Sequence, residues 1–129
     1  MRIEHAALWV RDLETMKGFY LRFFGARAGD KYRNPRTGFE SYFLSFESGA
    51  RLELMWRADV TPEPAPGERI GFAHIAWSAG SRAAVDTLSL ELQRAGFRVV
   101  SGPRVTGDGY YESVVLDPEQ NRLEITATE

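Results

Sequence analysis

The sequence predicts an α+β chain built as two tandem βαβββ modules, and three observations lead there. Segments recur in the same order after a shift of about 70 residues: EHAALW meets AHIAWS, FFGARA meets RAGFRV, GFESYFLSF meets GYYESVVLD, and RLELMW meets RLEITA. Each half holds one stretch with apolar residues at helical spacing and a stop signal after it. The other apolar stretches are short and partly alternating, which suits strands rather than helices.

Taken in order, module 1 (1–57) opens with a strand over 5–10. Asp12 follows as an N-cap, because its carboxylate can accept from an amide that the first helical turn leaves unpaired. The helix LETMKGFYLRFF places Leu13, Met16, Phe19, Tyr20 and Phe23 on one stripe, and Gly25 ends it. Strands over 27–32, 39–47 and 50–56 complete the module, the last two joined by the turn ESGA. The proline-rich TPEPAPGE lies in a linker over 58–70 that should be extended. Module 2 (71–129) repeats the plan: a strand over 72–78, a helix over 81–95 stopped by Gly96, and strands over 97–101, 110–116 and 122–126. Its last hairpin turns at DPEQN, where Pro118 and Asn121 are turn formers.

Composition excludes several functions. A length of 129 residues suits one compact domain with a substantial core. The net charge is −2, with sixteen Lys and Arg interspersed among eighteen Asp and Glu. No basic face can track a phosphate backbone, so nucleic acid is not an expected partner. The absence of cysteine removes disulfides, thiolate metal sites and cysteine nucleophiles. The N-terminal apolar stretch is too short and polar for a signal peptide, and no run approaches the roughly 20 apolar residues that span a bilayer. The expected location is therefore cytoplasmic, away from the membrane.

One feature resists the plain strand reading. Glu53 stands between Leu52 and Leu54 in RLELMW, and Glu124 stands between Leu123 and Ile125 in RLEITA. A carboxylate buried without a partner costs several kcal/mol or takes up a proton. Simple Leu-in, Glu-out alternation is the bland explanation. Yet the only two histidines, His5 and His74, fall on matching points of the repeat, each on the first strand of its half. If the halves are related by a pseudo-two-fold axis, His5 and Glu53 should face His74 and Glu124 across a concave surface. Two imidazoles and two carboxylates form a borderline donor set for one first-row divalent ion, Zn or Ni first, with Co, Mn or Fe as alternatives. The cation would offset the cost of burying both carboxylates.

These residues also carry a resemblance. The opening H-x-x-L-x-V-x-D from His5 to Asp12, the Phe19–Tyr20 pair, the central FAHIA and the closing DPEQNRLEI are similar to the vicinal oxygen chelate superfamily. The likeness is greatest to its short bacterial proteins related to glyoxalase I. It implies paired modules forming a metal-binding cup, a homodimer, and His5, Glu53, His74 and Glu124 as ligands. Dioxygenases and fosfomycin-modifying relatives use two His and one Glu and have no carboxylate at the Glu53 position, so the intact quartet resembles the lyase and isomerase branch. The implied reaction is proton transfer through a metal-bound enediolate of a 2-oxoaldehyde–thiol adduct or a similar small molecule with two neighbouring oxygens. A thiol is the implied cosubstrate. Glu124 is the first candidate for the base and Glu53 the second.

Two other classes stay open on sequence. One is a different metal-dependent enzyme of the superfamily, a dioxygenase or a thiol transferase. The other is a non-catalytic small-molecule binder with the same fold. Further candidates for the pocket are GDGYYES at 107–113, with Tyr110 and Tyr111 as rim residues or plain strand residues, and Met55 and Trp56 as wall or core. Arg33 and Arg36 could hold an anionic tail of a substrate.

Overall fold

The computed structural model describes residues 1–61 and 70–128. The chain divides into two compact units, Met1–Ala65 and Pro66–Glu129. Most of TPEPAPGE lies outside the described residues.

In unit 1, β1 (His5–Trp9) leads into α1 (Leu13–Phe24), followed by β2 (Arg27–Ala28), β3 (Tyr32–Arg33), β4 (Glu40–Ser45) and β5 (Arg51–Trp56). Asp12 caps α1 as expected, accepting from the Thr15 amide, and Gly25 closes it in the left-handed region at φ 64°. The sheet runs β1-β5-β4-β2 with β3 also on β4; β1 is parallel to β5 and the other pairs are antiparallel. Leu13, Met16, Phe19 and Tyr20 of α1 are buried, as are Tyr42, Leu44, Leu52 and Leu54 of the strands. These form the core between the helix and one face of the sheet. The single strand expected over 27–32 is instead two short ones. Gly29 and Asp30 interrupt it, both poor strand formers, although the Gly29 amide still reaches the Phe43 carbonyl.

Unit 2 repeats the order: β6 (Ile75–Gly80), α2 (Arg82–Arg94), β7 (Val99–Val105), β8 (Tyr111–Leu116) and β9 (Arg122–Ala127), in a sheet ordered β6-β9-β8-β7. Ser81 caps α2 through the Ala84 amide, and Gly96 follows its end at φ 92°. Val85 and Leu92 of the helix and Val115, Leu123 and Ile125 of the strands are fully buried. Two boundaries differ from expectation. β6 starts at Ile75, where its ladder with β9 begins at Ile75↔Leu123, so His74 stands one residue before the strand rather than within it. β7 runs past Gly102-Pro103, a pair that reads as a strand stop. The ladder absorbs the pair through irregular register on both sides of Ser101, with Gly102 at φ 80° pressed against the backbone of β8.

Candidate functional site

The two carboxylates owe their position to strand alternation. In β5 the side chains of Leu52 and Leu54 enter the core beneath α1, so Glu53 between them projects from the opposite face. In β9 Leu123 and Ile125 do the same beneath α2, and Glu124 takes the other face. The bland alternation is therefore real. It does not leave the carboxylates in open water, since the Glu53 side chain is 14% exposed and that of Glu124 is 22% exposed.

Each carboxylate meets the histidine of its own unit. His5 Nε2 lies 3.9 Å from Glu53 Oε1 and His74 Nε2 lies 3.1 Å from Glu124 Oε2. The register explains both encounters. Ala7 pairs with Glu53, and His5, two residues earlier on the parallel strand, shares its face; Ala76 pairs with Glu124, and His74 precedes it by the same step. The structure thus gathers the four expected residues as two pairs. Among the described residues, no group of three or more His, Asp and Glu side chains stands close enough to hold a metal ion, so the cup expected from the sequence is not shown. The donors nevertheless fit a borderline divalent ion in kind, with imidazole Nε2 turned toward carboxylate oxygen in both pairs.

The surroundings of the pairs differ. His5 meets the edge of the Phe43 ring at 5.4 Å, and the Arg51 guanidinium lies 4.1 Å above the centre of that ring. His5 Nδ1 and Arg51 Nη2 both donate to the Glu4 carboxylate. The His5 hydrogen bond first, then that of Arg51, hold the Glu4 carboxyl below its ordinary value. In unit 2 the face of Glu124 carries Glu112, which lies two residues before Val114, the register partner of Glu124. Burial pushes the Glu112 carboxyl up, and the charge of Glu124 adds to the effect. Glu112 escaped the sequence analysis. Its signal was the alternation in YESVVL, which puts it on the side opposite the buried Ser113 and Val115.

The secondary candidates sort themselves. Tyr111 is a strand residue tied to α2: its hydroxyl donates to Asp86 Oδ1 at 2.6 Å, and Arg82 lies over its ring. Of the two readings open for it, rim residue or plain strand residue, the structure matches the second. Tyr110 is exposed beside a turn in which Thr106 Oγ1 accepts from its amide. Met55 shares the Glu53 face, paired with Trp9 and Ser41, and Trp56 has the opposite orientation. Arg33 pairs with Glu40 at 3.8 Å, and Arg36 lies in a turn organised by the Asn34 side chain.

Comparisons with known proteins agree with this architecture. An uncharacterized protein of Bacillus subtilis (strain 168), YqjT, is 26% identical over 132 residues, covering 97% of this chain and 98% of its own. Among solved structures, a glyoxylase/bleomycin resistance protein/dioxygenase domain from Frankia sp. EAN1pec superposes with a TM-score of 0.82 at 19% identity, covering 98% of this chain and 97% of that one. The trypanothione-dependent glyoxalase I of Leishmania major gives 0.78 at 22% identity, with 98% and 86% covered. A lactoylglutathione lyase from Agrobacterium tumefaciens gives 0.69 at 22% identity, with 98% and 92% covered. At these identities the structures show a common fold. The family model described as Glyoxalase/Bleomycin resistance protein/Dioxygenase superfamily matches residues 2–125, nearly the whole length over which the paired βαβββ units and their two His–Glu pairs extend, and the chain belongs to that superfamily.

Proposed function

We propose that the chain is a metal-dependent lyase or isomerase of glyoxalase type, acting on a 2-oxoaldehyde–thiol adduct or a similar substrate with two neighbouring oxygens. The observation that carries this is the His–Glu pair repeated in each unit on the sheet face turned away from the helix. Two pairs together supply four donors, His5, Glu53, His74 and Glu124, for one divalent ion, Zn or Ni first. Both pairs come from one chain, or one pair from each of two chains. A bound cation would polarise the substrate oxygens and stabilise the charge that develops on them.

The chain's own residues do the rest. His5 and His74 act as fixed ligands and hold the site in shape. Glu124 removes the proton from the carbon next to the carbonyl and returns it to the neighbouring carbon, which balances the isomerisation without a redox step. Glu112, beside it on the same face, is a second carboxyl with a raised affinity for protons. Glu53 remains a ligand, since its neighbours are Phe43 and the Glu4-bound Arg51 rather than another free acid. Assembly as a homodimer fits the topology, because β1 and β6 each lie at an edge of their own sheet, where a second chain can add.

The test starts with protein purified without added metal. Metal analysis should find one divalent ion per four-residue site, and His74→Ala should abolish it. Metal-loaded protein should convert methylglyoxal plus a thiol, with glutathione and bacterial thiols tried in turn, to the 2-hydroxyacyl thioester. Glu124→Gln should cost roughly 10²–10⁴-fold in kcat, and Glu53→Gln less. Absence of turnover with every thiol, in protein shown to hold its metal, would sink the glyoxalase activity. Oxygen uptake by iron-loaded protein would instead favour the dioxygenase branch. Light scattering at micromolar concentration checks the dimer.

A further inference from the structure

The two histidines occupy matching positions in the repeat but are not held alike. His5 Nδ1 faces the Glu4 carboxylate. A carboxylate in its ionised form only accepts, so Nδ1 must carry the proton, and Nε2 of a neutral ring is left with its lone pair. Glu4 is itself fixed on two sides. Its other oxygen accepts from Arg51 Nη2, and its backbone carbonyl accepts from the Arg51 amide at 2.9 Å. Arg51 is braced in turn against the Phe43 ring, whose flank also meets His5. In unit 2 the residue before the histidine is Ala73, which has nothing to offer Nδ1. There the carboxylate lies on the opposite nitrogen, with Glu124 Oε2 at 3.1 Å from His74 Nε2.

We infer that Glu4 is a positioning residue that, clamped by Arg51, locks His5 in the Nδ1–H tautomer and presets its Nε2 for a metal, while His74 without metal rests in the Nε2–H form. The inference rests on the metal site proposed above. Its consequence is that the two half-sites are prepared differently: the first is ready to coordinate, and the second must move its ring proton from Nε2 to Nδ1 before it can do so. The proton stays on the ring or exchanges through water, so no other group changes its oxidation or charge. A ligating histidine whose outer nitrogen loses its partner typically costs the site about 10–100-fold in metal affinity.

The experiment uses the full chain labelled with ¹⁵N-histidine, stripped of metal and held at pH 8.5. Two-bond ¹H–¹⁵N correlations distinguish the two tautomers, and His74→Ala assigns the two rings. The expected spectrum shows His5 as Nδ1–H and His74 as Nε2–H. Glu4→Ala should move His5 toward the Nε2–H form that free imidazole prefers and weaken zinc binding by roughly 10–100-fold. Glu4→Gln, whose amide oxygen still accepts, should restore much of both. His5 found as Nε2–H in the wild-type chain, or a tautomer unmoved by Glu4→Ala, overturns the inference. Failure of the wild-type chain to bind zinc overturns the metal site beneath it, and that result comes from a separate titration. Glu4 is 59% exposed at its side chain, so Glu4→Ala leaves the core intact, and circular dichroism confirms the fold.

Discussion

Leu54→Ala and Glu53→Gln, adjacent substitutions on β5, should have opposite signatures if one face of the strand is core and the other is site. Leu54 has no exposure and packs beneath α1, so removing three of its carbons leaves a cavity that close-packed neighbours fill only in part. Truncations of this kind cost about 2–5 kcal/mol. For a chain of this size each kcal/mol lowers Tm by roughly 3–5 °C, so a drop of about 6–25 °C is expected. Glu53 keeps 14% of its side chain exposed, and its carboxylate oxygen lies 3.9 Å from His5 Nε2, too far for a hydrogen bond. Without metal, Glu53→Gln gives up no hydrogen bond, and stability should change by no more than about 0.5 kcal/mol. Thermal melts in chelator, followed by zinc titration, separate the two. Leu54→Ala should melt early and bind zinc at low temperature, whereas Glu53→Gln should melt normally and bind zinc poorly. Equal losses of stability without metal would refute the two-face assignment, as would a Leu54→Ala protein that melts within a degree or two of the wild type.

Three further outcomes follow from local geometry. Gly102→Ala should cost about 3 kcal/mol in a denaturant melt, because its Cβ would stand 2.5 Å from the Glu112 carbonyl oxygen and 3.1 Å from two other backbone atoms at φ 80°. Gly107→Ala, where an added Cβ meets nothing within 4 Å, serves as the near-neutral control. The Tyr42 hydroxyl first, then Lys17, hold the Glu14 carboxyl down to about 2 from 4.5. A depressed carboxyl contributes stability that is complete above its unfolded value and is lost as pH falls through the folded one. Glu14→Gln should therefore lower Tm at pH 7, and the gap should close between pH 4.5 and pH 2 in a series of melts. Glu112 is shifted the other way, by burial and then by Glu124, so its ionised form destabilises the fold at neutral pH. Glu112→Gln should raise the Tm of metal-free protein at pH 7, with the gain fading as pH falls toward 4.5 and absent below it.

Much of this was legible because repeats and caps are local. The duplicated order of elements, the Asp12 cap and the Gly25 stop depend on residues within a turn or two of each other, and all three appear in the structure. The pairing of each histidine with the glutamate of its own half was legible from the repeat and is realised through strand register. Boundaries set by partners rather than by propensity were not. β7 continues past Gly102-Pro103 because β8 offers a ladder that tolerates the irregularity, and β6 begins late because pairing with β9 begins at Ile75. Glu112 was hidden for a related reason. Which side of YESVVL faces the helix is decided by contacts of Ser113 and Val115 with distant residues, among them the Ser89 hydroxyl at 2.5 Å from that of Ser113.

The repeat makes the two His–Glu pairs look interchangeable, but their neighbours differ. In unit 1 the outer nitrogen of the histidine is engaged, the residue engaging it is held by an arginine, and the arginine is braced on an aromatic ring. Such a chain leaves the pair little freedom to rearrange, which suits a ligand that must keep its geometry through a reaction cycle. In unit 2 the histidine lacks that brace, its inner nitrogen is already close to the glutamate, and a second carboxyl with a raised proton affinity shares the face. In the proposed mechanism this is the pair that contains the base, Glu124, with Glu112 as a neighbouring proton holder. A duplicated fold thus places the same two residue types twice, and the residues that differ around them, Glu4 against Ala73 and Ser41 against Glu112, are what would distinguish an anchoring half from a reacting half in the proposed mechanism.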